Sequence, residues 1–161
     1  MKAILFFISL IILITGCEKK DNSGCSGQQY SYTFNNNKQI DTVRHSSGSF
    51  FATINSGSNL VFKYEYISSV CASIADDGHT DVLIFEIPAG STSFELKQPV
   101  DFQNSKCYFT RTCFCANVSS RLVTGTINGT RLFNNRWSVN ASVTEPVNNI
   151  SVSFNKQFVL E

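Results

Sequence analysis

The sequence predicts an all-β domain, an antiparallel sandwich of about ten short strands. Three observations predict it. Apolar and polar residues alternate with a period of two along most of the chain. Clusters of Asn, Ser, Gly and Pro interrupt that alternation as turns do. The aromatic content is 14 Phe and 5 Tyr against one Met, a composition suited to strands. No helical period is visible beyond residue 17. A closed, calycin-like barrel is the alternative way to pair the same strands.

The elements follow in order. Tyr30, Tyr32 and Phe34 share one face of a first strand. Asn35-Asn36-Asn37 reads as a turn, followed by short strands at 39–44 and 50–54 and a second turn at 55–59. A long strand covers 60–67, with Lys63 and Glu65 on its wet face. Val82–Ile87 is apolar on both faces and suits a central strand covered on both sides. Pro88–Ser91 ends it, and 93–96 is a short strand. The segment 106–117 carries three clustered cysteines. In 122–132, Val123, Gly125, Ile127 and Gly129 face one way and Thr124, Thr126, Asn128 and Thr130 the other. After a turn at 133–136, Trp137, Val139, Ala141 and Val143 return apolar, with Ser138, Asn140, Ser142 and Thr144 facing out. Trp137 is placed to cover the bare Gly125 and Gly129. A last strand runs from Ile150 to Leu160, with an irregularity expected at Asn155-Lys156.

The first residues carry a different signal. Lys2 precedes an apolar run from Ile4 to Ile14, too short for a hydrocarbon core roughly 30 Å thick. Ile14-Thr15-Gly16-Cys17 follows directly. This resembles the lipobox of bacterial lipoproteins. The resemblance covers residues 1–17, with Ile where Leu is more usual. It implies a signal peptide over 1–16, cleavage before Cys17, and acylation of Cys17 with diacylglycerol and often a further palmitate-type chain. Residues 17–27 then form the lipidated Cys and a polar, flexible tether, and 28–161 a single β domain. The short Cys-Glu-Lys-Lys-Asp start and the Ser/Asn-rich strands look like small Bacteroidota-type envelope lipoproteins. Glu18 in place of Asp after the anchor implies the outer membrane; the side of that membrane stays open.

Removing Lys2 leaves 12 basic and 12 acidic side chains, so no nucleic-acid partner is expected. Taking Cys17 out of the thiol pool leaves Cys25, Cys71, Cys107, Cys113 and Cys115. An exported protein meets an oxidising compartment, so two disulfides and one spare thiol are expected. Cys113 and Cys115 flank one residue in a strand and sit at the limit of bridging distance. The pairing favoured is Cys107–Cys113 across a tight hairpin and Cys71–Cys115 between strands.

Asp76, Asp77, His79 and Asp81 form the one acidic cluster. It offers oxygen ligands for Ca²⁺ but lacks an EF-hand pattern, and a solvated turn explains it as well. Asp41-Thr42-Val43 resembles the acceptor for O-glycosylation in exported proteins of that type, at Thr42. Asn117, Asn128 and Asn140 head glycosylation sequons that read as composition. Phe51, Phe102, Phe109, Phe114 and Phe133 lie off the main apolar faces and are candidates for an exposed contact patch. No nucleophile elbow, zinc-protease helix or phosphate loop occurs. The expected function is therefore non-enzymatic: a lipid-anchored module contacting protein or glycan. A carrier of small apolar ligands is the alternative, if the strands close into a barrel.

Overall fold

The computed structural model describes residues 26–44, 50–69, 78–113, 118–120 and 123–161. The described residues form nine strands and one short helix: β1 (Gln29–Arg44), β2 (Phe50–Ile67), β3 (His79–Pro88), β4 (Ser93–Leu96), α1 (Pro99–Asn104), β5 (Tyr108–Cys113), β6 (Val118–Ser120), β7 (Thr124–Phe133), β8 (Arg136–Glu145) and β9 (Ile150–Leu160). They form one open sheet in the order β4-β7-β8-β9-β1-β2-β3-β5-β6. With β4 and β6 as free edges it is not a closed barrel. The sheet folds over on itself as a sandwich, with β4-β7-β8-β9 facing β1-β2-β3-β5. Every pairing is antiparallel except β1 with β9, which run parallel and meet at Thr33↔Val159 and Phe34↔Leu160 only.

The period-two alternation explains the layers. Phe62 of β2 sits at the centre of the aromatic core. Its ring lies 5.5 Å from Phe34, 5.0 Å from Phe85, 5.7 Å from Phe158, and edge-on to Trp137 at 5.4 Å. Phe94 of the β4 edge reaches both Phe62 and Phe85 and so pins one layer to the other. Phe94 also occupies the space that Gly129 leaves free: a Cβ at Gly129 would meet its ring at 2.4 Å. The expected cover of Gly129 by Trp137 is thus corrected, because β4 places another ring there first. Gly125 has φ +117° and faces the Ser142 carbonyl so closely that no side chain fits.

The two expected turns at 35–37 and 55–59 are also corrected. β1 and β2 run straight through them as 16- and 18-residue strands. The Asn and Gly residues form facing bulges instead: Asn37 takes φ 54°, and the register shifts where Lys38 meets both Ser56 and Asn59. Gly57 packs bare against Gln39. Beyond this bend the outer halves of β1 and β2 fold back over the second face of the sheet. Ile40 there joins Val61, Ile84 and Tyr108 in a second small core, with Ala52, Ile54 and Val82 at its margin. This is why β3 is apolar on both faces, as its sequence implied.

One charge sits inside that second core. Glu86 is buried and accepts the Ile40 N–H at 2.6 Å and Asn59 Nδ2 at 3.0 Å. Lys106 Nζ lies 3.1 Å from Glu86 and donates to the Ile40 carbonyl at 2.8 Å. The folded-back hairpin is therefore held through both backbone groups of Ile40.

Helix α1 was not expected. One and a half turns are too few to produce a visible period, but its start signals are present: Pro99 at the first turn, and Asp101 accepting the Lys97 and Gln98 N–H groups. Those two bonds hold the Asp101 carboxyl below its ordinary pKa. The irregularity expected at Asn155-Lys156 is absent. β9 keeps continuous register with β8, and Lys156 is exposed although it falls in the inward row.

Candidate functional site

The outer face of β7, β8 and β9 is built from side chains that all carry a hydroxyl or an amide. The register aligns them in four rows across the three strands: Thr124–Thr144–Ser151, Thr126–Ser142–Ser153, Asn128–Asn140–Asn155 and Thr130–Ser138–Gln157. The intervening residues point inward; Ile127, Ala141, Val143, Val152 and Phe154 among them are buried. None of the twelve outer residues is buried. Strand spacing of about 4.8 Å and row spacing of roughly 6.8 Å give a patch of about 20 Å by 10 Å.

These twelve residues carry no formal charge, although solvent-exposed surface is ordinarily about a quarter or more charged; Glu95 of β4 borders the grid beside Asn128 and is paired with Lys97. A hydroxyl pair in the first row is bonded, Thr144 Oγ1 to Ser151 Oγ at 3.0 Å, and Thr124 Oγ1 donates to the Thr144 carbonyl at 3.3 Å. In the other three rows the hydroxyls and amides have no partner among the described residues. They present donors and acceptors in a fixed grid, which is the chemistry that a polyhydroxylated ligand matches.

A fifth row closes the face at one end with Phe133–Arg136–Val159. The register shift at Leu132 turns Phe133 from the inner to the outer side, and its ring is 70 % exposed. Leu132, Val159 and Leu160 are exposed beside it. Of the five phenylalanines expected at the surface, Phe51 is also exposed, whereas Phe102 and Phe109 are core residues. Phe102 is carried inward by α1, and Phe109 shares the inward side of β5. Phe114 lies outside the described residues.

The opposite end of the sandwich gathers a second group on the inner face. Tyr30 packs on Tyr66 at 4.9 Å, Tyr32 on Tyr64 at 5.5 Å, and His79 lies edge-on to Tyr66 at 5.5 Å. Burial raises the pKa of Tyr32 and of Tyr64, with neighbouring tyrosines adding to it. Asp81 is buried, and Arg111 grips both its oxygens, Nε to Oδ1 and Nη2 to Oδ2, each at 2.6 Å. That bond raises the Arg111 pKa further. His79 Nε2 stays 3.8 Å from Asp81, beyond hydrogen-bond range.

The acidic cluster is therefore not a solvated turn throughout. His79 and Asp81 belong to β3, and Asp81 is committed to Arg111. Asp76 and Asp77 lie outside the described residues. Among the described residues no three His, Cys, Asp or Glu side chains converge on a metal site. The register also sets His79 opposite Cys113, so an imidazole, a carboxylate and a sulfur share this end. His79 is out of hydrogen-bond range of Asp81, whose two oxygens Arg111 grips, and Cys113 is itself engaged. A shallow depression of about 100 Å³ lies beside it, lined by Gln29, Tyr30, Ser31, Glu65 and Ile67. Pockets for drug-sized ligands begin near ~300 Å³.

The favoured pairing of Cys107 with Cys113 is corrected. The two bracket a single strand, β5, and six residues of strand separate their Cα atoms by about 20 Å. Cys107 is a free thiol, buried at 2 % exposure, and burial raises its pKa well above the ordinary value. It is expected to resist alkylation in the native protein and to label fully on unfolding without reductant. Labelling of the native protein by iodoacetamide, mapped by mass spectrometry, would overturn this. Cys25, Cys71 and Cys115 lie outside the described residues, as does Cys17. Thr42 is exposed on β1 opposite Ala52, and the neighbouring Asp41 is bonded to Asn55 and Gln39. Among the described residues no helix is long and apolar enough to cross a membrane.

Neither the family models, the curated proteins nor the solved structures compared with this chain give a match.

Proposed function

We propose that this chain is a lipid-anchored, non-enzymatic envelope protein, held at the outer membrane through Cys17, whose domain binds a neutral glycan on the outer face of β7, β8 and β9. The observation that carries the binding reading is the twelve-residue uncharged grid, with its unbonded hydroxyls and amides and the exposed Phe133 ring at its end. Sugar hydroxyls exchange hydrogen bonds with such groups without the desolvation of a charge, and a sugar's C–H face packs on an aromatic ring. The lipobox resemblance supports the anchor. An exported location also gives Cys113, deprived of Cys107, a disulfide partner in Cys25 or Cys71.

The test is co-sedimentation of the detergent-solubilised lipoprotein with insoluble β-glucan and α-mannan, against a carboxylated polysaccharide. At least one neutral polymer is expected to retain the protein, and the carboxylated one to retain it less. Ser142→Lys, in the middle of the face, places a charge against the ligand and is expected to abolish retention. Phe133→Ala removes a stacking contact of about 1 kcal/mol, roughly a fivefold loss of affinity. Retention unaltered by Ser142→Lys would remove this face from the reading.

A further inference from the structure

The register fixes which end of the domain the anchor holds. β9 runs parallel to β1 and its residue 159 pairs with Thr33, so the beginning of β9 lies at the end where β1 begins. The β8–β9 turn, residues 146–149, is therefore at the same end as the entry of the tether, and Phe133 is at the far end. Among the described residues at the tether end, Tyr30 at 55 % and Val147 at 73 % exposure stand out of the surface. Val147 is displayed by a turn that is braced from inside. The buried Glu145 carboxylate accepts the N–H groups of Val147 at 3.0 Å and Asn148 at 2.7 Å.

We infer that this end, through Tyr30 and Val147, rests in the headgroup layer of the bilayer that carries the anchor. The inference builds on the lipoprotein reading above. Eleven residues separate Cys17 from β1 at Gln29. A chain of that length, if it is the flexible tether its composition implies, spans about 18 Å on average and about 40 Å at full extension. The tether end is thus confined near the membrane at an effective concentration of about millimolar. Two side chains bind a bilayer only weakly, and a contact that weak is negligible for a free domain. At that local concentration a millimolar-strength contact is occupied about half the time. Tyrosine suits the place, since its ring is apolar and its hydroxyl stays hydrated at the headgroup level. The glycan face then rises away from the membrane, with Phe133 outermost.

The test uses the full lipidated chain in phosphatidylcholine vesicles with brominated acyl chains, which quench tryptophan on contact. Trp137 is the only native tryptophan, wholly buried, and contributes constant emission. Val147→Trp is expected to lose about half of its added emission relative to unbrominated vesicles, and Phe133→Trp none. As a second measurement on the unaltered lipoprotein, the amides of residues 147–149 are expected to exchange more slowly on vesicles than in detergent. An acylated protein quenched at neither position, or at Phe133→Trp instead, overturns the inference and leaves the lipoprotein reading standing. An intact mass without acyl chains overturns the lipoprotein reading, and the inference with it.

Discussion

Replacing Arg111 with Met is expected to destabilise the domain by about 3 kcal/mol, a large share of the 5–15 kcal/mol typical of such domains. The Met stem fills much of the same space, so the loss comes from the charge left behind. Asp81 is 4 % exposed, and Arg111 donates to both of its oxygens at 2.6 Å. His79 at 3.8 Å is too far to replace it. An isolated buried carboxylate either stays ionised at high cost or takes up a proton, and both lower stability at neutral pH. The double variant Asp81→Asn with Arg111→Met buries no charge and is expected to regain most of the loss. Denaturant unfolding followed by Trp137 emission measures both, because that indole is buried in the folded core. A loss below about 1 kcal/mol for the single variant would mean that the pair is solvated as an ordinary surface bridge is.

Cys17→Ser is expected to abolish incorporation of labelled fatty acid completely and to leave the signal peptide attached. In the lipoproteins that the lipobox resembles, the thiol is acylated and the chain is then cut before it. Serine offers no thiol. The variant should therefore retain Met1–Gly16, while the parent begins at Cys17 with acyl chains. One chain alone holds a protein only marginally, and two or more hold it stably, so the acyl count in the parent's intact mass matters as much as the label. Label in the variant would place the anchor elsewhere.

Much of the architecture could be read from alternation. β3, β4, β7, β8 and β9 fall within a few residues of the segments that the pattern marked, and the polar side of β7 and β8 was legible residue by residue. The misreadings have one physical root. Asparagine tolerates the left-handed backbone wherever it is needed, in a turn or inside a strand. Asn149 uses φ 54° to turn the chain after β8, and Asn37 uses φ 54° to bulge β1 without turning it. Local preference cannot separate the two; the partner strand decides. The same holds for Phe109 and Phe102, whose burial depends on what α1 and β5 pack against. Glu86 was read within an apolar strand, and its partners Ile40 and Lys106 come from 46 residues before it and from the segment just ahead of β5. The Asp81–Arg111 bridge and the alignment of Phe133 with the polar rows exist only through register.

The parallel junction of β1 and β9 has a mechanical consequence. Anchored at one end and bound to a glycan through β7, β8 and β9, the domain would be pulled between its two layers. The load then crosses from β1 to β9, where, among the described residues, two register pairs and the Glu161 N–H bond to the Phe34 carbonyl are the backbone ties. Because the strands are parallel and the pull runs along them, these ties are loaded together in shear rather than peeled one after another. Tyr32 reinforces the seam, its ring edge-on to Phe154 at 5.4 Å and to Phe158 at 5.5 Å. Under tension the domain should give way at this seam first, parting into two hairpin-rich halves before either half loses its own strand pairing.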